Sequence, residues 1–170
     1  VYDSLVPCLW IATNDNILKV DVNHKTKIIG KYSTSGRISS MATDKHRLWF
    51  VSNNVLYALN KNDHTIVRHS DNSQSLNIVA CSDNGTVIAG GTNIYIMVRD
   101  TLQKLSLLED PAIERINSLF FDHNNSIYFT SSRKLIKYNL NTKIKKIYDS
   151  TIGLPNEGLS YVVYDDDTHL

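Results

Sequence analysis

Six histidines are the side chains of this sequence that first suggest metal chemistry. They are His24, His46, His64, His69, His123 and His169. No His-x-His or His-Glu-x-x-His pattern occurs among them, and such spacings are what bring two imidazoles onto one ion. Most of them fall in polar, turn-like segments. We therefore expect solvated turn histidines, with no metal ligand and no cofactor.

The clustered carboxylates are equally weak candidates. The run Asp165-Asp166-Asp167 could suggest calcium, but it lacks the alternating Asp-x-Asp-x-Asp-Gly spacing that wraps the ion. Glu109 and Asp110 are adjacent, so their side chains point apart in an extended chain. We interpret both groups as turns.

Nucleophilic and phosphate-binding motifs are missing from the sequence. It contains no Gly-x-Ser-x-Gly elbow and no glycine-rich phosphate loop. Cys8 and Cys81 form no Cys-x-x-Cys pair, and we expect small buried side chains at both positions. The sequence therefore predicts no catalytic residues and a function other than an enzyme's.

Aromatic side chains could bind sugar rings by stacking. Trp10 and Trp49 lie inside apolar, strand-like runs, which favours core packing over stacking on a ligand. Tyr32, Tyr148 and Tyr161 lie nearer predicted strand ends and are better candidates for exposure. None of these residues can be assigned to a ligand from the sequence, so the ligand-binding residues stay unknown at this point.

Two glycosylation sequons also occur, Asn84-Gly85-Thr86 and Asn124-Asn125-Ser126. Asn-Gly and Asn-Asn pairs are ordinary turn chemistry as well. We therefore interpret both segments as turns.

Composition indicates a globular chain. It has 170 residues and a mass of 19.3 kDa, and 42% of its residues are hydrophobic. Lys plus Arg is 18 and Asp plus Glu is 17, a balance that argues against nucleic-acid binding and against an acidic tail. The apolar runs are far shorter than the roughly 20 residues of a membrane span. The chain opens at Val1 with no visible secretory signal, so we expect a processed or excised piece of a longer protein.

A repeat of about 40 residues organises the chain. Four ungapped segments of 13 residues begin at Leu9, Leu48, Val87 and Ile127, so their starts are 39, 39 and 40 residues apart. An aspartate precedes each of the last three segments by four or five residues. These aspartates are Asp44, Asp83 and Asp122, and Asp165 precedes Leu170 by five.

Each repeat is predicted to contain four short strands. In the second repeat they are Arg37–Thr43, Leu48–Val51, Val55–Leu59 and Thr65–His69. The turn 52–54 is built of residues that tolerate a positive φ. A four-stranded unit of this length, covered on both faces and repeated in tandem, is a β-propeller blade. A β-sandwich or an ordinary barrel would not explain the period.

The predicted fold class is therefore all-β, with about four four-stranded antiparallel blades. The domain prediction is a single partial propeller over residues 1–170, with repeats at about 9–47, 48–86, 87–126 and 127–169. We also expect the chain to begin just before a second strand and to end just after a first strand, 158–164. Such ends allow either a closed four-bladed ring completed by that last strand or an arc of a larger ring. We favour the arc.

The motifs resemble two-component regulator propeller repeats rather than WD40 or kelch repeats. The Gly-His and Trp-Asp pairs of WD40 blades are missing, and Gly90-Gly91 occurs once, whereas kelch blades have such a pair in every repeat. The similar segments are Leu9-Trp10-Ile11-Ala12-Thr13, Leu48-Trp49-Phe50-Val51-Ser52, Val20-Asp21, Tyr138-Asn139 and Gly153-Leu154-Pro155-Asn156.

The resemblance implies a function and a location. Such repeats form extracytoplasmic, periplasmic sensor regions of bacterial hybrid two-component histidine kinases, in rings of about seven blades. It therefore implies a non-catalytic module that senses a carbohydrate or other small ligand, dimerises through the parent chain and binds no nucleic acid. It also implies membrane attachment only through parts outside this segment. Two alternatives stay open: a propeller-based lyase or hydrolase, and a protein-interaction scaffold.

Overall fold

The computed structural model describes residues 1–3, 7–23, 27–105 and 114–161, which form four sheets of four antiparallel strands each. Blade 1 contains β1 (Tyr2–Asp3), β2 (Cys8–Ala12), β3 (Asn16–Asp21) and β4 (Lys27–Ser33). Blade 2 contains β5 (Ile38–Thr43), β6 (Arg47–Ser52), β7 (Val55–Asn60) and β8 (Ile66–Arg68). Blade 3 contains β9 (Ile78–Cys81), β10 (Val87–Gly90), β11 (Ile94–Val98) and β12 (Thr101–Lys104). Blade 4 contains β13 (Ile116–Phe121), β14 (Ser126–Ser131), β15 (Lys134–Asn139) and β16 (Lys145–Tyr148).

Within every sheet the strands lie in chain order, so each blade is a simple meander. This arrangement confirms the predicted all-β fold of four-stranded propeller blades. The described helical segments are two short 3-10 turns, Asn72–Gln74 and Ser150–Ile152. Nowhere in the described residues does a helix have the length and hydropathy needed to cross a membrane.

Two of the described hairpins place two successive non-glycine residues in left-handed backbone conformations, but with different residue types. Asn53 and Asn54 join β6 to β7 at φ 49° and 65°, as the sequence predicts for asparagine. Arg99 and Asp100 join β11 to β12 at φ 48° and 60°. A bulky arginine seldom adopts a positive φ, so this second hairpin holds a strained conformation.

The repeated aspartate closes the turn between the first and second strands. Asp44 Oδ1 accepts hydrogen bonds from the backbone N–H groups of His46 (2.7 Å) and Arg47 (2.8 Å). Asp44 Oδ2 accepts a third bond from the buried Trp49 indole at 2.6 Å. Asp122 Oδ1 likewise accepts two backbone N–H groups of its own turn, at 2.9 and 2.8 Å. One carboxylate therefore satisfies backbone donors that would otherwise be orphaned.

The alignment of Asp83 with these two aspartates is wrong. In blade 3 the turn is closed by Ser82, whose N–H donates to the Thr86 carbonyl and whose Oγ accepts the Thr86 N–H at 3.0 Å. The Asp83 side chain is 83% exposed. Sequence spacing could not separate the two neighbours, because serine closes such turns as well as aspartate does.

The expectation that the chain begins just before a second strand is also wrong. β1 pairs with β2, with Tyr2 opposite Leu9 and Asp3 opposite Cys8, so blade 1 has its own first strand. Asp3 occupies the position that Asp44 has in blade 2. The proposed four-bladed closure would have put the last strand in the place that β1 fills. Residues 158–161 lie in no strand, and 162–164 lie outside the described residues.

The core lies between the blades rather than within them. Successive side chains of the second strand point to opposite faces: Trp49 packs with residues of blade 3, whereas Leu48 and Phe50 pack with residues of blade 1. Trp10 and Trp49 are 1% and 2% exposed. The predicted packing of both tryptophans between blades is therefore confirmed.

Gly91 permits one close approach between blades. A Cβ at this position would lie 2.2 Å from the Ser75 carbonyl oxygen, which is a backbone atom that cannot move aside. The Gly91 carbonyl also accepts the N–H of Ile116, the first residue of blade 4, at 2.9 Å. Glycine is therefore required at position 91, directly after β10, because the backbone of Ser75 approaches it on one side and that of Ile116 on the other.

Replacing Asp44 with alanine should destabilise the protein far more than the same change at Asp83. D44A removes the acceptor of the buried Trp49 indole and of two turn N–H groups, at a cost of about 2–3 kcal/mol in the free energy of unfolding. D83A removes an exposed side chain and should stay within about 0.5 kcal/mol. Urea unfolding measures both variants. Equal losses would contradict the assignment of the turn to Ser82.

Candidate functional site

A ladder of side-chain hydrogen bonds joins the first strands of neighbouring blades. Ser39 Oγ donates to the Asn77 carbonyl at 2.8 Å, and Asn77 Nδ2 donates to the Ile116 carbonyl at 2.9 Å. Asn117 Nδ2 donates to the Leu159 carbonyl at 3.2 Å. Ser39 and Asn117 are the second residues of β5 and β13, where register shifts interrupt these strands, and Asn77 directly precedes β9. These bulges aim a polar side chain at the next blade.

The ladder lines a concave surface of about 740 Å³ along the first strands. Hydroxyl and amide groups of the ladder alternate there with apolar side chains such as Ile78. Among the described residues that line it, the titratable side chains are Arg115, His123 and Tyr161. We call this the axial surface.

A second concavity of about 740 Å³ lies between blades 2 and 3, on the side of the Asp44 turn. We call it the interblade groove. Its walls are the turns of the two blades, and its floor includes Trp49, Val87 and Met97. The polar lining residues are Asp44, Lys45, His46, Arg47, Asn60, Asn62, Asp83, Asn84, Arg99 and Asp100.

An ion pair crosses this groove. Arg47 Nη1 of blade 2 lies 2.7 Å from Asp100 Oδ1 on the strained hairpin of blade 3, and the two side chains are 37% and 63% exposed. The guanidinium also lies 5.4 Å from the Trp49 ring centroid. Its hydrogen bond holds the pKa of Asp100 below the ordinary value for aspartate.

The ion pair separates the groove from a smaller recess of about 360 Å³. Arg47, Asn60 and Asp100 line both spaces. His69 lies in the recess, with its ring 4.9 Å from the Trp49 ring, and burial lowers its pKa. Burial thus favours the neutral form of this imidazole.

The charged side chains of the groove differ in whether they have a hydrogen-bond or ion-pair partner. Asp44 is held by its turn, Asp83 pairs with His123 at 2.7 Å, and Asp100 pairs with Arg47. Lys45 and Arg99 make no hydrogen bond or ion pair with the described residues. Lys45 and Arg99 are therefore the two cations of the groove that have no paired carboxylate among the described residues.

The contact between blades 1 and 2 is held by a different kind of pair. Lys61 Nζ lies 2.6 Å from Asp3 Oδ2, and the two side chains are 7% and 2% exposed. Lys61 also donates to the main-chain carbonyl of Asp44. This ion pair is buried, whereas the pair in the interblade groove is open to solvent.

His46, His64 and His123 are exposed turn residues, as predicted, whereas His69 is half-buried against Trp49 and departs from the expectation of a solvated turn histidine. His46 and His123 lie beside the first turn of their blades, His64 lies between β7 and β8, and His69 follows β8. Within the described ranges, no three His, Cys, Asp or Glu side chains are placed to hold a metal ion. Several other sequence candidates lie outside the described residues, namely His24, His169, Glu109, Asp110 and Asp165-Asp166-Asp167.

The remaining candidates are mostly packed. Cys8 is buried and Cys81 half-buried, both are free thiols, and burial raises the pKa of each. Tyr161 is 76% exposed, as expected. Tyr32 and Tyr148 are half-buried, so the expectation of exposure holds for Tyr161 alone.

The sequon asparagines serve as turn residues. Asn84 Oδ1 accepts both the N–H (3.1 Å) and the hydroxyl (2.8 Å) of Thr86. Asn125 has a φ of 59°, which asparagine tolerates. The turn interpretation of both segments is confirmed.

Sequence reasoning missed the pairing of Arg47 with Asp100. One signal was present: the position of Arg47 in β6 is held by Cys8 in β2 and by Ser126 in β14, both small and buried. A long, charged side chain at a position where other repeats have a small one indicates that this residue makes a contact specific to its own blade. Its partner could not be identified, because the two residues are 53 positions apart.

No protein-family model matches the chain, and no curated protein matches it. Several solved structures are similar to it. The extracellular domain of the hybrid two component system BT3049 from B. thetaiotaomicron is 19% identical with a TM-score of 0.78, covering 98% of this chain and 25% of that one. The corresponding domain of BT4673 from the same organism is 14% identical with a TM-score of 0.69, covering 84% and 21%. The RRP9 WD40 repeats are 8% identical with a TM-score of 0.71, covering 84% and 47%.

These similarities define the class: the chain consists of β-propeller blades. The resemblance to two-component regulator propellers is confirmed at the level of the fold, which both extracellular domains share. The present chain spans about a fifth to a quarter of the length of those two domains.

The two ion pairs should respond differently to loss of their cation. K61M removes the cation that lies 2.6 Å from the buried Asp3 carboxylate and should cost about 3–5 kcal/mol in the free energy of unfolding. R47M breaks an exposed pair and should cost about 1 kcal/mol or less. Adding D3N to K61M should recover part of the first loss. Urea unfolding of the complete protein measures all three, and a large loss in R47M would contradict an open, weak pair in the groove.

Proposed function

We infer that this chain is part of the extracytoplasmic, ligand-sensing propeller of a two-component signal-transduction regulator. The observation that carries the proposal is the similarity to the extracellular domain of BT3049, because it covers 98% of this chain. The Leu-Trp-Ile segment at Leu9 and the Gly-Leu-Pro segment at Gly153 support it independently.

The polar concavities support binding of a small, hydroxyl-rich ligand such as an oligosaccharide. Both the axial surface and the interblade groove combine asparagine amides with arginine and a partly apolar floor. Such a mixture suits sugars, whose rings have apolar faces and hydroxyl edges. The same surfaces favour binding over catalysis, because the polar side chains at their centres are engaged in contacts between blades.

Signalling follows from those contacts. A ligand that binds one arrangement of two neighbouring blades more tightly than another shifts the population toward that arrangement. Because the apolar seams between blades also contain a few discrete hydrogen bonds and ion pairs, a local exchange of partners there can change the relative position of neighbouring sheets. The shift then reaches the parent dimer and its kinase through parts of the protein outside this chain.

The test is a binding and turnover measurement on the complete protein that contains this chain. Isothermal titration against a panel of neutral and acidic oligosaccharides should give saturable binding of at least one member. Chromatography of the recovered sugar should show it unchanged. Binding of none of the panel would contradict a carbohydrate sensor, and consumption of the bound sugar would favour the lyase or hydrolase alternative. Retention of an unmodified protein partner without any sugar binding would favour a scaffold.

A further inference from the structure

We propose that the interblade groove binds an anionic saccharide, whose acidic group takes the place of Asp100 on the Arg47 guanidinium. The proposal rests on the sensing function proposed above, since it specifies the ligand class and the site. The acidic group is a carboxylate, as in a uronic acid, or a sulfate ester. Both present the oxygen fork that a guanidinium binds with two parallel hydrogen bonds.

Charge determines the class of ligand. Within the groove, each of the three carboxylates already has donors, whereas Lys45 and Arg99 face the same space without partners in the described chain. A neutral sugar offers neither cation an ionic contact. An acidic group on the saccharide provides such a contact beside Arg47, and the hydroxyls of the sugar can contact amides such as that of Asn62 on the groove wall.

The exchange of partners is feasible because the resident ion pair is weak. Arg47 and Asp100 are both substantially exposed, and exposed pairs of this type contribute little to stability. Asp100 is held on a hairpin with two positive φ values, so it remains fixed to blade 3 when Arg47 moves away. Asp100 thus acts as an internal competitor that occupies the guanidinium while no ligand is bound.

Release of Asp100 also enlarges the site. The pair is the shared wall between the groove of about 740 Å³ and the recess of about 360 Å³. When Arg47 turns toward a ligand, the two spaces join along the seam between blades 2 and 3. One of the polar contacts between these blades is then replaced by one that passes through the ligand, which gives the binding event a structural consequence.

Two substitutions are expected to act in opposite directions. R47M removes the main contact and should weaken binding of an acidic saccharide at least about tenfold, as for loss of one charge-assisted hydrogen bond. D100N removes the competitor and should strengthen binding about threefold to tenfold. Asparagine tolerates the positive φ at this position, so D100N preserves the hairpin. A folding defect would weaken binding in both variants and could not produce this pair of results.

The probes are digalacturonate, a 6-sulfated N-acetylglucosamine and their neutral counterparts, measured by isothermal titration on the complete protein. The two acidic probes distinguish a uronate from a sulfate ligand. Binding should weaken as salt is raised from 50 to about 300 mM, because the contacts are partly exposed charges. Neutral probes should bind at least about tenfold more weakly than their acidic counterparts.

R115M on the axial surface is the matched control, since it removes an exposed arginine from the other concavity. It should leave binding of the acidic probes unchanged. If R115M abolishes binding while R47M and D100N do not alter it, the groove is excluded and the sensing function stands with its site on the axis. If acidic probes bind no better than neutral ones, or bind not at all, the proposal is overturned. Tight binding of the neutral probes alone would leave the sensing function intact.

Discussion

The packing of second strands between neighbouring blades is the constraint on which the rest of the structure depends. A single four-stranded sheet has two apolar faces and cannot bury either one alone. Trp10 and Trp49 cover the face toward the following blade, and Leu48 and Phe50 cover the face toward the preceding one. Each blade is therefore stable only through its neighbours, so any polar group placed at a seam acts on the arrangement of two sheets at once.

The fold was predictable because this constraint leaves a periodic trace. A strand buried on both faces must be apolar at nearly every position, and the segments at Leu48 and Val87 meet that requirement at the same phase of the repeat. The turns were predictable where the backbone demands a particular residue type, as at Asn53. The prediction was wrong where a different residue type meets the same demand, since Ser82 closes the turn that Asp83 was expected to close. It was also wrong about the start of the chain, because the first strand of blade 1 has only two residues, Tyr2 and Asp3, and leaves little pattern to recognise.

The candidate site could not be predicted, because it consists of exceptions to the repeat. Arg47 stands where other blades have a small side chain, and Asp100 stands on a hairpin whose residue types do not suit its conformation. Their contact depends on how two blades meet, which is a property of packing between sheets rather than of either strand. Periodicity shows what the blades share, whereas a binding site lies where one blade differs from the others.

The seams differ in how firmly they are closed. Between blades 1 and 2, Lys61 pairs with Asp3 largely out of contact with water, and separating these two charges would be costly because both side chains are buried. Between blades 2 and 3, Arg47 and Asp100 stay hydrated when they separate, so their contact can be exchanged at little cost. A ligand that competes for charge will therefore act on the second seam and leave the first intact. Under the proposed sensing mechanism, the Arg47–Asp100 contact is the point at which ligand binding alters the seam between blades 2 and 3.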